Sequence, residues 1–427
     1  MRRLLAIGFI WLCCAVAWTI LGSTLLHRSS AWSDGLGAEV QALWGPPLQQ
    51  APPVATGTET HAVAKVVETY DAKLGRAVKS QATEDVTTTR PLTLTGSDLG
   101  VSLALEHRRK GLLWFPTYGV TFRGTYVFRN DTAEARQLDG GFPLEAGVTY
   151  DGFRVTGPDG KPVEAVFDQG GAHFRGALGP GAEQRYTVSY RTRGTWRWGY
   201  GVHDKGLGPE PGRVRNFKLK LETDFAEVDF PAGTVSPSAH RAGGGRWSGT
   251  WDFEQLVGTP TIGLVLPQRL NPGPLAASIT LFAPVSLLFF FFVVGVVLAA
   301  RRAAIHPVNY FLLACAFFAF HLLFAYLIDH ISIAAAFAGA SAVSLALVVS
   351  YARLFVGWRS AVSVFGVSQL IYLVLFSVSF FWEGYTGLAI TVGAVLTLFV
   401  MMQLTGRLDW AEVLGSRGAD PTPARSA

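Results

Sequence analysis

Between Leu275 and Leu404 the sequence is a succession of apolar runs separated by short polar breaks. They read LAASITLFAPVSLLFFFFVVGVVLAA, VNYFLLACAFFAFHLLFAYLI, ISIAAAFAGASAVSLALVVSYA, AVSVFGVSQLIYLVLFSVSFF and YTGLAITVGAVLTLFVMMQL. Each run is about 20 residues or more, enough helix at ~1.5 Å per residue to cross ~30 Å of hydrocarbon. Lipid offers the backbone no hydrogen-bond partner, so these runs are expected to be helices packed as a bundle.

Charge sets the expected orientation, because short cytoplasmic loops carry the Lys and Arg excess. Arg301, Arg302 and His306 follow the first run, Arg353 and Arg359 the third, and Arg407, Arg417 and Arg425 the last. The opposite breaks hold Asp329 with His330, and Glu383. This alternation places the chain end in the cytoplasm and the segment before Leu275 outside. At the other end, Arg2 and Arg3 precede an uncharged stretch from Leu4 to Leu26, and His27, Arg28 and Ser29 close it. A cleaved signal peptide would have a shorter apolar core ending at a small-residue cleavage site, whereas this uninterrupted span closed by charge reads as an uncleaved anchor with a cytoplasmic start. Trp11 and Leu12 stand where a lipobox before Cys13 and Cys14 would need small residues.

Only 16% of the 427 residues are charged and 49% are hydrophobic, too apolar for an ordinary soluble enzyme and too polar for a chain wholly in lipid. The net charge of +5 does not imply nucleic acid, since topology accounts for many of the arginines. The sequence thus divides into an anchor (1–28), an extracytoplasmic domain (29–274), a five-helix block (275–406) and a cytoplasmic tail (407–427). Cys13, Cys14 and Cys315 all fall in spans, so the outer domain is expected to fold without disulfides.

Gly45 to Pro53 is Pro-rich and expected to be extended and irregular. Ala62 to Val78 fits either a helix face or a Val-rich strand. Thereafter alternation dominates: Val120, Phe122, Tyr126 and Phe128 share one face, with Thr121, Arg123, Thr125 and Arg129 on the other. Similar alternation occurs at Val148 and Tyr150, at Tyr186, Val188 and Tyr190, and at Trp196, Trp198 and Tyr200. It returns at Phe217, Leu219 and Leu221, and at Ile262, Leu264 and Leu266. Turn sequences lie between, at Asn130-Asp131, Gly157 to Gly160, Gly179 to Gly181 and Gly243 to Gly245. Short strands with such turns indicate an antiparallel sandwich or related all-β domain. The fold class is therefore a polytopic helical bundle of about six spans, with a large sandwich-like all-β domain inserted between the first and second.

No catalytic arrangement emerges. His61, His107, His173, His203 and His240 lack metal-ligand spacing, and no nucleophile elbow or phosphate-binding loop is present, so no cofactor or metal is expected. Asn130-Asp131-Thr132 has the form of a glycosylation sequon but reads as a turn. Trp196 to Tyr200 with Trp247, Trp251 and Phe253 could form core, a bilayer-interface belt or a ligand platform. Arg108, Arg109 and Lys110 could contact lipid phosphates or lie in a solvated loop. Pro284 is expected to kink its helix, while Phe289 to Phe292 can face lipid and neighbouring helices alike. In the membrane block, His321 stands out as an ionisable group within a span. It serves either as a relay with Asp329, His330 and Glu383 or as a neutral histidine bonded between helices.

Several local sequences resemble the CreD family of inner-membrane proteins. Ile305-His306-Pro307-Val308-Asn309-Tyr310 is similar to its entry into a span, and Asp329-His330 to its acidic-His loop. Thr405-Gly406-Arg407-Leu408-Asp409-Trp410 resembles its closing Thr-Arg-Arg-x-Asp-Trp. Trp44-Gly45 with Gln49, and Arg109-Lys110-Gly111 followed by Pro116-Thr117-Tyr118, resemble landmarks of its outer domain. The chain departs from the family at Glu383-Gly384-Tyr385, where Glu-Asp-Tyr is usual, and at Gly406, where an Arg is usual. About Gly140 to Gly212 no match is evident. The resemblance implies a non-enzymatic role in envelope integrity or stress response, associated in relatives with a two-component regulon and with colicin and β-lactam tolerance. Membrane lipids and a periplasmic or cell-envelope protein are the partners it suggests, and the alternative is a transporter or lipid-handling subunit.

Overall fold

Six helices in the computed structural model have the length and composition to cross a membrane. The structure describes residues 2–71, 76–202, 213–258, 261–301, 303, 305–382 and 384–406. The helices are α1 (Arg2–Trp44), α2 (Pro272–Ala300), α3 (Pro307–Leu327), α4 (Ile333–Val356), α5 (Trp358–Phe381) and α6 (Thr386–Thr405). Their ends follow local chemistry. Pro307 opens α3, where it lacks an N–H the first turn could not use, and His306 Nδ1 accepts from Val308 N at 3.3 Å. Ser332 caps α4, its hydroxyl accepting from Ala335 N at 3.4 Å. Gly357, at φ +78°, ends that helix in a conformation costly for a side chain.

The chain divides into two compact units, one of α1 up to Gly35 with α2–α6, the other of Leu36–Lys110 and Trp114–Arg269. Inside the helical unit, α1 lies against α2 at Gly22, where a Cβ would meet the Leu281 side chain at 2.6 Å. Small residues permit such close backbone approach in lipid. Trp11 Nε1 donates to the Pro284 carbonyl at 2.8 Å, and α2 continues through that proline. Phe290 and Phe291 are buried while Phe292 is exposed, so the phenylalanine run faces both ways. Half of the most apolar window of α2 and of α3 is buried, against 11% for α6, which marks α6 as peripheral.

The second unit is built of three sheets and a buried aromatic core. Its large sheet runs, edge to edge, through Ala239–Gly243, Arg246–Val257, Arg213–Thr223, Thr93–Lys110, Leu113–Arg129, Glu183–Thr195, Asp151–Thr156 and Pro162–Val163. A five-stranded sheet runs through Arg76–Pro91, Val54–Asp71, Arg136–Phe142, Gly171–Leu178 and Ala165–Asp168. The smallest joins Leu48–Gln50, Arg197–Gly201 and Thr261–Val265. The expected alternation at 120–128 is present, with Val120, Phe122, Tyr126 and Phe128 buried and Thr121, Arg123 and Arg129 exposed. Phe122 stacks on Tyr190 at 4.8 Å, and Tyr126 and Tyr200 share a hydroxyl contact of 3.2 Å. Gly124 breaks the apolar row because a Cβ there would meet Leu99 at 2.7 Å.

Several local expectations change. The first helix does not stop near Arg28 but continues to Trp44, since no strong breaker precedes Gly45, at φ +110°, and Pro46-Pro47. Within the segment read as irregular, Leu48–Gln50 is a strand parallel to Trp198–Tyr200. A second parallel pairing, Phe217–Thr223 beside Ser97–Leu103, makes the domain mixed rather than purely antiparallel. Strand direction depends on partners more than a hundred residues away, which local periodicity does not encode. The undecided Ala62 to Val78 is strand as far as Asp71 and again from Arg76. Val148 and Tyr150 precede their strand, following a turn at Ala146-Gly147 in which Gly147 has φ +77°. Trp196 does not share the face of Trp198 and Tyr200: at φ +60° it forms the corner where the chain leaves the large sheet for the smallest.

Candidate functional site

His321 is carried on the inward stripe of α3 with Leu313, Phe317, Phe320 and Phe324. Its Nδ1 lies 3.0 Å from the Phe317 carbonyl. A carbonyl only accepts, so Nδ1 holds the proton. The ring meets Trp18 edge-on at 5.5 Å and Phe320 at 4.9 Å. Asp329 sits in the turn after α3 and forms an ion pair with Arg28 at 2.7 Å. That arginine also reaches the Ala325 carbonyl at 3.4 Å and lies 5.6 Å from the Tyr326 ring centroid. His330 is exposed in the same turn. Glu383 lies outside the described residues, as do Arg302, His203 and residues 407–410 of the closing motif. His321 and Asp329 are therefore each tied to α1, through Trp18 and Arg28, by separate contacts.

Away from its ionisable groups the bundle carries a polar seam. Gln369 in α5 is fully buried and donates through Nε2 to Ser344 Oγ at 2.7 Å, which donates to the Ala316 carbonyl at 2.7 Å. Gln369 Oε1 and Ser341 Oγ are buried without a partner among the described residues. Stretches of π-helix, Ala361–Gly366 and Leu370–Leu375, flank Gln369. Within the second stretch, Tyr372 shares a 2.8 Å hydroxyl contact with Thr397 of α6. The only sequence signal was a lone amide in an apolar run.

In the β domain the histidines stay apart. His173 pairs with Asp168 at 3.0 Å, His107 Nε2 lies 3.0 Å from the Pro267 carbonyl, and His61 is 3.3 Å from Glu59. Among the described residues no three metal-capable side chains gather. Glu134 shares a hydrogen bond with Glu59, which holds Glu134 above and Glu59 below the ordinary carboxyl range. Arg136 completes this group, 2.9 Å from Glu59. Asn130 is fully buried, its amide donating to Glu134 O at 2.7 Å and Gly179 O at 3.0 Å. The sequon is thus a structural turn whose amide nitrogen is already engaged.

Most of the aromatic set is core: Trp198, Tyr200 and Trp251 are buried, with the Trp251 indole donating to the Val235 carbonyl at 2.8 Å. The Arg108 to Lys110 run ends the strand Thr93–Lys110 rather than lying in a loop, Arg108 pairing with Glu106 and Lys110 with Glu39. Arg108 and Arg193 lie 4.2 and 4.6 Å from the Trp44 ring centroid. A cavity of about 620 Å³ opens beside them, lined in part by Trp44, Thr121, Thr149, Asp151, Arg191 and Arg193. Trp44 alone of this group belonged to a sequence landmark.

Among curated proteins, none matches the sequence. A nutrient-binding protein candidate of Legionella pneumophila is similar at 12% identity and a TM-score of 0.32, over 58% of this chain and 77% of that one. A peptide-bound M1 zinc metallopeptidase of Deinococcus radiodurans aligns at 12% identity and a TM-score of 0.25, over 78% and 96% of the two chains. Likeness at these scores carries no argument about fold or chemistry. The sequence profile described as inner membrane protein CreD matches residues 279–411, from within α2 past the end of α6. Over this multi-pass membrane block, the chain is similar to the CreD family of inner-membrane proteins.

Proposed function

We propose that this protein is a non-enzymatic component of envelope maintenance or stress response, whose β domain lies outside the cytoplasm and contacts a periplasmic protein or lipid partner. The observation that carries the reading is a long β-ribbon. Val54–Asp71 pairs with Arg76–Pro91, and from Thr60↔Thr87 to Asp71↔Arg76 the register spans about 37 Å at ~3.4 Å per residue. Thr60–Glu68 and Gln81–Thr87 are exposed, Val63, Val66 and Val86 among them. An isolated two-stranded hairpin is marginal in water, so a ribbon of this reach with exposed valines favours a surface to rest on. The placement outside follows from Arg301, Arg353 and Arg359 on one side of the block and Asp329 with His330 on the other.

The alternative, a transporter or lipid-handling subunit, needs polar groups along a hydrated path. The aromatic enclosure of His321, and a Gln369 chain that ends on a backbone carbonyl, argue for the closed bundle of a scaffold or sensor. The test is a photo-crosslinking amino acid at Val66 in intact cells, with Lys161 as an exposed control. A discrete adduct from Val66 and none from Lys161 is expected; equal products from both, or none from any ribbon position, would reject the contact. Topology is checked in a background with the three native cysteines replaced by Ser. A membrane-impermeant thiol reagent should label Asp159→Cys and not Gly418→Cys, and labelling of the second overturns the orientation.

A further inference from the structure

The cavity beside Trp44 has a charge balance that points to its ligand. Arg191 is neutralised by Asp151 at 2.6 Å, whereas Arg193 has no ion pair among the described residues. The lining therefore carries one uncompensated positive charge. Arg193 is held over the indole ring of Trp44, its guanidinium carbon 4.6 Å from the ring centroid, with that of Arg108 at 4.2 Å. The cation–π contact fixes the side chain before any ligand arrives, and with no carboxylate partner its N–H groups remain for an oxyanion. The hydroxyls of Thr121 and Thr149 also line the space and carry no hydrogen bond among the described residues. Its sheet wall is made of small residues, Ser102, Ala104 and Gly119, which is why there is room.

We propose that this cavity binds an organic phosphodiester of single negative charge, the chemistry shared by phospholipid headgroups and their soluble glycerol esters. At about 620 Å³ the space lies within the ~300–1,000 Å³ usual for organic ligands and is larger than a bare ion requires. With Arg191 and Asp151 paired, a single negative charge balances the lining's one uncompensated positive charge. A phosphodiester presents more acceptor oxygens than a carboxylate, enough for the Arg193 fork and both threonine hydroxyls. The proposal rests on the β domain alone: the cavity would bind its ligand even if the ribbon touched no partner, so the two ideas fail separately.

The test uses the full chain in an uncharged detergent, with two probes. Radiolabelled glycerophosphoglycerol is followed by equilibrium dialysis, and phosphatidylglycerol retained after reconstitution is counted by native mass spectrometry. Saturable binding in either arm supports the site, and the arm that responds identifies a soluble or a lipid source. Arg193→Gln should weaken that binding by about tenfold or more, Arg193→Lys by less, and the distant exposed change Arg241→Gln not at all. Thr121→Val, which leaves the Trp44 contact intact, should weaken it severalfold and covers the case in which Arg193→Gln fails to fold. Absence of saturable binding in both arms, wild-type affinity in Arg193→Gln and Thr121→Val, or equal displacement by a carboxylate of similar size would overturn the proposal.

Discussion

The β domain and the membrane block solve opposite problems with similar side chains. In the β domain water is the competitor, so apolar residues are sorted to one face and each buried phenol finds a partner: Tyr190 donates to Gln50 Oε1 at 2.7 Å, Tyr118 to the Arg197 carbonyl at 2.6 Å. In the block the solvent is itself apolar, so Phe290 can be buried while Phe292, Leu396 and Phe399 stand exposed. Close approach and polar bonds, such as Gly22 against Leu281 and Gln369 to Ser344, then discriminate one packing from another. Burial of a large apolar group should therefore matter greatly in one region, and its position on the helix should decide the effect in the other.

The largest expected effect tests this directly. Phe122 is 1% exposed and touches Tyr190, Phe142 and Tyr200, so Phe122→Ala should cost ~3–5 kcal/mol. A domain is commonly stable by only ~5–15 kcal/mol, so proteolysis of the intact protein in detergent should cut within the β domain. Leu396→Ala in α6, at a site 58% exposed, should change melting by less than ~0.5 kcal/mol, as should Arg123→Ala on the outward face. Comparable losses at Phe122 and Leu396 would erase the distinction.

Next in size is an alkaline transition confined to the β domain. Burial pushes the phenols of Tyr126 and Tyr190 well above their usual range, and those of Tyr118 and Tyr200 upward as well. The unfolded chain ionises near pH ~10 while the folded one does not. The stability these groups contribute is thus complete below about pH 10 and lost as pH rises, by up to ~1.4 kcal/mol per pH unit for each tyrosine. Phenolate absorbance should stay low and then rise together with loss of β-sheet circular dichroism. A gradual rise near pH 10 with the sheet intact would contradict the burial.

The same contrast explains what was legible in the sequence. Period-two alternation exposed the buried faces at Phe122, Tyr190, Phe217 and Leu264, because only one side of those strands is covered. The six spans were legible from length, but which side of each helix packs was not, since Phe290 and Phe292 look alike to lipid. Trp196 escaped because a corner at φ +60° leaves no mark in an alternating pattern, and the parallel pairings escaped because they join distant segments. Of the candidate site, His321 was read from its charge and found in a packed aromatic shell, whereas the Gln369 seam and the Trp44 cavity depend on contacts across many residues.

A smaller effect is expected at His321 itself. Its side chain supplies one hydrogen bond, to Phe317, whose carbonyl lies one helical turn earlier. Gln can donate from the same position, so His321→Gln should retain membrane abundance and any envelope phenotype. His321→Leu forfeits the bond and should cost about 1 kcal/mol. A Gln variant of normal abundance with the phenotype of a deletion would assign His321 a relay role and turn the closed-bundle argument around.

The smallest effect lies at the rim of the β domain, where exposure weakens what geometry builds. Asp168 closes the turn between Ala165–Asp168 and Gly171–Leu178, its Oδ1 accepting from Gly170 N at 2.7 Å and lying 3.0 Å from His173 Nε2. The Gly170 amide, followed by His173, holds this carboxyl below its ordinary range. Its contribution is therefore present above the unfolded value near pH ~3.9 and disappears as pH falls through the lower folded value. Asp168→Asn keeps an acceptor for Gly170 but removes the charge, so it should abolish the acid-side dependence while sparing the turn at neutral pH. Asp168→Ala removes both and should raise amide exchange at Gly170 at every pH. The hairpin is at a sheet edge, so this change should stay local, leaving exchange in the Leu113–Arg129 strand untouched. If the Asn and Ala variants exchange alike at neutral pH, the charge rather than the hydrogen bond sets the turn, and the rim obeys a different rule from the phenol-lined core.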